Sequence, residues 1–449
     1  MIRLVRAFPF VLCLSSVSVA SQPSGAAAIA QNDSEAPLLA RIDSLATEEA
    51  KAGLLSGVIL VARGDRVLLQ RAYGLASWEL RAPTTSATRF GIASITKVMT
   101  ETVVDVLVSE GRLDLDAPVS RYIGSFPAGP KGGLVTIRHL VNHRSGVPHR
   151  VTNESEETLP LHPSDIVERV RAKGLLFEPG TQDLYSSAGF SCLARIIELI
   201  EGKPFDAVLR DRIFRPASMA AASGETGQQL MPQRALPHRL GASAGAVVVA
   251  SAPYKNLGFL TGAGSVYATA EDLRRFARAL RNGVFGPAGN TRIAESAGQT
   301  WRSWYGRTTG YEASVDLLPA EDVTFVFLSN LRSAANWQLR AQIKNLLEGR
   351  QAGAIPRPPP PLASSIETPE SFLGSYGDPP DPIVVTMVDG HLFRDENEFY
   401  PIAGGRYYIP ASGSVMRFRR TSDGIVDGIV TVPPWTGTET LALRLPERQ

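Results

Sequence analysis

The sequence predicts an α/β fold, of the α+β kind in which one antiparallel sheet is flanked by helices, followed by a small all-β domain. Three observations predict it. Apolar, β-branched runs that read as hairpins stand near both ends of residues 37–349, at 56–74 and at 311–330. Segments with helical spacing, broken by Pro and Gly, fill the interval up to about residue 220. Past a Pro-rich stretch at 350–368, residues 369–449 alternate in short apolar runs separated by turns. A chain of 449 residues, 44% hydrophobic and 20% charged, suits one large domain plus a small one and carries enough apolar mass for a sizeable core.

The first residues, MIRLVRAFPFVLCLSSVSVA, read as a secretory signal over 1–20. Arg3 and Arg6 make the positive end, residues 7–19 are apolar but too short to span a bilayer, and Ser18-Val19-Ala20 offers a cleavage site. This reading implies a periplasmic or secreted protein with no membrane span in its mature chain. Cys13 lies in the signal, so Cys192 is left alone and no internal disulfide forms. The formal net charge is +2, and removal of Arg3 and Arg6 balances 44 basic against 44 acidic residues. That balance excludes the electrostatic footprint of a nucleic-acid or anionic-membrane binder.

The elements follow in order. Residues 21–36 read as a flexible leader, and PLLARIDSLATEEAKAG as a helix. SGVILVARGDRVLLQRAYG is a hairpin turning at Gly64-Asp65. GIASITKVMTETVVDVLVSEG (91–111) is a helix ending at Gly111, with valines on nearly every face, so it is central and buried. Its start sets Ser94 one turn before Lys97. Ser94 is a good N-cap, and capping is the plain reading of it. The alternative is chemical. Burial and the positive helix end both disfavour an ammonium on Lys97, and a neutral amine can take the proton of Ser94 and make it a nucleophile. By itself Ser-x-x-Lys is a weak signal. In the C-terminal region Asp389-Gly390 and Asp423-Gly424 are hairpin turns of a sandwich or barrel.

Several segments, in order, carry a resemblance. They are FGIASITKVMT, LDLDAPVSRYI with VTIRHLVNHRSGVP, FEPGTQDLYSSAGFSCLARIIELIEGKPF, and GAGSVYATAEDLRRFARAL. Over about residues 40–349 the chain resembles the serine β-lactamase/penicillin-binding-protein-like superfamily, in the branch with class C β-lactamases, D-aminopeptidases and related carboxylesterases. The resemblance implies that fold and an acyl-enzyme on Ser94. Lys97 and Tyr185 of DLYSSAGF match the groups that share general base work. A phenol beside an ammonium is expected to titrate more easily. Where the family's Tyr-x-Asn motif has its asparagine, this chain has Ser187, a shorter group with one donor in place of two. The third motif, Lys-Thr-Gly or His-x-Gly in relatives, corresponds to Trp304-Tyr305-Gly306 in SWYGRTTGY. Tryptophan for the cation removes a partner for a substrate carboxylate and offers an aromatic wall for a neutral group. The backbone N–H groups of Ser94 and Arg307 match the oxyanion hole.

The residues therefore point to hydrolysis of small esters, with amides and β-lactams as the alternative that Ser187 and Trp304 disfavour. A non-catalytic binding protein on the same fold is the other alternative. No cofactor is implied, and nothing in the sequence speaks to oligomeric state. GASAG (241–245) matches Gly-x-Ser-x-Gly, but no helix follows Ser243, so the strand-to-helix elbow is missing. His139 and His143 have a metal-compatible spacing without the Glu of His-Glu-x-x-His, and read as capping or packed residues.

Overall fold

The computed structural model describes residues 25–225, 230–286, 300–362, 369–377 and 382–446. The sequence-predicted signal at 1–20 lies outside them. Helix α1 runs Gly25–Lys51, so it begins within the stretch read from sequence as a flexible leader. Its first turns hold four alanines, which lose little entropy in a helix. No helix among the described residues is long and apolar enough to cross a membrane.

The main sheet is antiparallel and takes strands from both ends of the large domain, as the two hairpins predict. Its strands are β1 (Gly57–Arg63), β2 (Arg66–Tyr73), β3 (Arg302–Thr308), β4 (Tyr311–Leu318) and β5 (Val323–Ser329), in the order β3-β4-β5-β1-β2. N-terminal β1 pairs with C-terminal β5 from Gly57 opposite Ser329 to Arg63 opposite Val323. Alternation along the strands serves two cores. Val58, Leu60, Ala313, Val315, Val326 and Leu328 face the helical region. Ile59, Val61, Phe325 and Phe327 face α1 and the last helix of the large domain, Ala334–Leu347. With both faces covered, β1 reads as a nearly continuous apolar run, and β4 is buried along its whole length although it carries Glu312, Ser314 and Asp316.

Asp316 of β4 is buried and pins that last helix. It accepts from Arg340 at 3.2 Å and Lys344 at 3.3 Å, and from the hydroxyls of Ser303 and Ser314. Burial opposes its charge, but the two cations outweigh burial and hold its carboxyl below the usual range.

The C-terminal region is an eight-stranded antiparallel sheet whose strands follow one another in chain order, from Gly374–Tyr376 to Thr440–Leu443. Hydrogen bonds from Gly377 N to Leu443 O and from Leu445 N to Ser375 O join the first strand to the last. The sheet so closes into a barrel around Tyr376, Phe399, Tyr407, Met416 and Ile429. Asp389 and Gly390 both take positive φ, the turn their pairing predicts. The barrel docks through its hairpin at 391–402. Glu398 pairs with Arg239, Glu396 with Arg332, and Tyr400, Ile402 and Tyr408 pack on Ala242 and Val247. Ser243 ends one strand of a tight hairpin, with Ala244 and Gly245 at positive φ, so no nucleophile elbow forms there.

Replacing Asp316 by Ala leaves two cations facing each other in the core. The expected loss is about 3–5 kcal/mol of unfolding free energy, read by urea denaturation at neutral pH. Because the folded carboxyl is depressed, the deficit relative to wild type narrows as the pH falls through the carboxylate range.

Candidate active site

Ser94 stands at the N-cap of helix α2 (Ile95–Ser109), yet its hydroxyl makes no capping bond. Elsewhere in the chain Thr136, Ser186, Thr269 and Ser333 cap their helices in the ordinary way. This contrast decides the capping question that the sequence leaves open. The Ser94 hydroxyl is instead 2.7 Å from the Tyr185 hydroxyl and 3.3 Å from Lys97 Nζ. The residue before it, Ala93, has φ 45°, a left-handed conformation that an L side chain rarely adopts. Strain at that point is held by the packing of the buried 90–97 segment.

Lys97 is buried at 5% exposure in a helix whose buried residues are otherwise apolar or hydroxyl-bearing. Its Nζ reaches Ala263 O at 2.9 Å and Ser187 Oγ at 3.3 Å, besides Ser94. Burial lowers its pKa to about 7, against a smaller opposing pull from Glu101. A neutral amine has two N–H donors and one lone pair. With the donors on Ala263 O and Ser187 Oγ, the lone pair faces the proton of Ser94.

Ser187 opens the helix Ser187–Glu201 and Tyr185 lies just before it, so one helix start places both. Lys97 Nζ also sits 4.7 Å from the Tyr185 ring centre and 5.6 Å from that of Phe190. The expectation that Tyr185 titrates more easily is corrected. Desolvation raises its pKa, and the bond to Ser94 offsets only part of that. Near neutral pH Tyr185 is a phenol that donates to Ser94.

Two histidines missed by sequence reasoning as site components frame the tyrosine. His143 lies 4.5 Å and His149 5.4 Å from its ring centre. His143 accepts from Ser186 N, and burial together with the Lys97 charge lowers its pKa to about 4. It is therefore a neutral spacer at physiological pH. His149 accepts from Ser187 N at 3.4 Å. His143 stands in the segment VTIRHLVNHRSGVP and reads from sequence as a packed residue, His149 stands in no motif, and the folding of 143–149 against the Ser187 helix brings both in. His139 completes a capping box with Thr136. No cluster of three or more metal-ligating side chains occurs among the described residues.

The third motif is on β3, the edge strand beside α2. A Cβ on Gly306 would lie 2.1 Å from Ile92 O and 2.9 Å from Ser94 N, so only glycine lets the strand run against the nucleophile loop. An edge strand has backbone groups that no neighbouring strand uses. Ser94 N lies at this contact, and Arg307 directly follows Gly306 on the strand. The aromatic wall expected from Trp304 is corrected: Trp304 is only 8% exposed and its ring packs 5.9 Å from Phe276 in the core. Alternation puts Trp304 and Gly306 on one face, and at Trp304 that face is already covered by helix Ala270–Arg281. The outward residues there are Tyr305 and Arg307.

A serine held by a buried lysine and a tyrosine, where a helix start meets the edge of an antiparallel sheet, defines a class of hydrolases that use lysine where others use histidine. The chain belongs to the Beta-lactamase family, whose model matches residues 42–346. It is 32% identical over 200 residues to Esterase EstB of Burkholderia gladioli, covering 41% of this chain and 51% of that protein. The chain spans about half the length of curated relatives it matches, 55% and 51% for two of them. In fold it is similar to D-amino acid amidase from Ochrobactrum anthropi, with a TM-score of 0.62 and 21% identity, covering 70% of this chain and 99% of the other. It is also similar to a penicillin-binding protein from Bacillus halodurans, with a TM-score of 0.58 and 23% identity, covering 68% and 98%.

A methyl group at Gly306 has nowhere to go. Gly306→Ala is expected to lower kcat by roughly 100-fold or more, with far less effect on KM, because it displaces strand and nucleophile loop together. Steady-state kinetics on a p-nitrophenyl ester checks this split.

Proposed function

We propose that the protein is a serine hydrolase that cleaves small carboxylic esters through an acyl-enzyme on Ser94. The observation that carries this reading is the single cluster in which Lys97 Nζ and the Tyr185 hydroxyl both meet the Ser94 hydroxyl. Neutral Lys97 takes the Ser94 proton as Oγ attacks the ester carbonyl. The oxyanion is held by the N–H groups of Ser94 and Arg307. The Lys97 ammonium then returns the proton to the leaving alcohol, with the Tyr185 hydroxyl as relay. Water attacks the acyl-enzyme, Lys97 again accepts the proton, and Ser94 is regenerated.

Ester preference is supported by two features. Ser187 offers a single hydroxyl where relatives in the resembled branch place an amide, and Trp304, buried, supplies no cation at the third-motif position. The likeness to a protein named an esterase agrees with this. The export signal read in residues 1–20 supports a place outside the cytoplasm.

Residues 21–449 and the variant Ser94→Ala test the proposal on a p-nitrophenyl ester series, a chromogenic cephalosporin and a D-alanyl anilide. Ester turnover is expected to fall by at least about 1,000-fold in Ser94→Ala. Equal turnover in both proteins removes Ser94 from the mechanism, and cephalosporin turnover far above ester turnover reverses the substrate ranking. Since the amine must be neutral, kcat/KM for a neutral ester should rise with pH through a midpoint near 7 and level off above it. A profile flat from pH 5 to 9 excludes Lys97 as the base.

A further inference from the structure

Where the barrel docks, a cavity of about 330 Å³ opens between the two domains. That is within the size range of small-ligand sites. The large domain lines it with His149, Arg150, Arg307 and Arg332, and the barrel closes it with residues that include Asp395 and Glu396. It adjoins the catalytic cluster at two points. His149 holds Ser187 N and packs beside Tyr185, and Arg307 directly follows the Gly306 that abuts Ser94.

The hydrogen bonds in this cavity do not balance. Glu396 is nearly enclosed and takes Arg332 Nη1 at 2.8 Å and Thr309 Oγ1 at 2.9 Å. Desolvation opposes its charge, but Arg332, Arg150 and Lys255 overcome that and hold its pKa at about 2, so it is ionised. Arg150 reaches Glu396 and Glu157 only at 3.8 Å each. Lys255 is engaged by Glu157 at 2.5 Å. The buried Arg332 keeps an Nε N–H with no acceptor, and the Arg307 guanidinium makes no hydrogen bond or ion pair among the described residues. Unused donors, one of them buried, call for an acceptor. Three guanidiniums and two carboxylates, those of Asp395 and Glu396, line the cavity, and the unused donors of Arg307 and Arg332 suit an anionic acceptor.

We propose that this cavity is a carboxylate subsite of the Ser94 site, so that the preferred substrates are esters carrying a free carboxylate away from the scissile bond. The carboxylate takes the place that a cation at position 304 would otherwise serve, from residues 150, 307 and 332 in place of the third motif. The barrel is then a wall of the substrate site, with Glu396 orienting Arg332 and Arg150 toward it. The inference rests on the ester-hydrolase reading of Ser94.

Two ester pairs test it: p-nitrophenyl hydrogen adipate against p-nitrophenyl methyl adipate, for an anionic acyl group, and 4-acetoxybenzoate against its methyl ester, for an anionic leaving group. The readout is the anionic-to-neutral ratio of kcat/KM, from which general losses of activity cancel. In one pair the wild-type ratio should be at least about tenfold, expressed mainly in KM, and fall toward one in Arg150→Gln and in Arg307→Gln. Ratios near one in both pairs, or ratios that these variants leave unchanged, overturn the subsite. Neutral esters that still need Ser94 then leave the hydrolase reading intact. If no ester is turned over, calorimetry with monomethyl adipate and the Ser94→Ala protein decides: binding that Arg150→Gln abolishes supports the subsite, and no binding overturns it.

Discussion

A single buried amine sets the terms for the large domain. Taking an ammonium out of water into an apolar helix is costly, and a protein answers either by pairing the charge or by letting the group become neutral. Among the described residues, Lys97 hydrogen-bonds two hydroxyls and the carbonyl of Ala263, and no carboxylate. These acceptors suit an amine better than they neutralise a cation. The same burial that destabilises the charged form makes the amine a base at neutral pH, so the stability cost and the chemistry have one origin.

The surrounding structure keeps that amine aimed. Thr100 bonds Gly262 O, and Val266 N bonds Thr96 Oγ1, so α2 is tied on one side to the 262–266 segment that presents the Ala263 carbonyl. On the other side Ser186 caps its helix and accepts no competing role, which leaves Tyr185 and Ser187 to face the site. A cluster with hydroxyl contacts of 2.7–3.3 Å tolerates little drift, and the rigid elements that carry it account for its position.

Much of the fold was legible because its signals are local and periodic. The hairpins at Gly64-Asp65 and Asp389-Gly390 follow from turn chemistry, and the valine-rich α2 from spacing. The pairing of β1 with β5 could be suggested only by strands at both ends, since register is a long-range property. The first turns of α1 were read as a leader because their alanines lack an amphipathic pattern. In the site, Ser94 and Lys97 were legible from spacing, while Tyr185 and Ser187 came from family resemblance. The inward turn of Trp304 depends on which face of β3 is covered, and the upward shift of Tyr185 on how much burial outweighs the bond to Ser94. Neither quantity is in the linear sequence. The guanidiniums of Arg150, Arg307 and Arg332 are separated along the chain, and only the fold of the large domain gathers them.

The central claim is that Lys97 is a neutral amine near physiological pH. The chain has seven lysines. Protein labelled with ¹³C at lysine Cε, compared with a Lys97→Met variant for assignment, reports each ionisation directly by NMR. The account predicts one lysine titrating with a midpoint near 7, absent from the variant. A Lys97 resonance that titrates above pH 9 would contradict it.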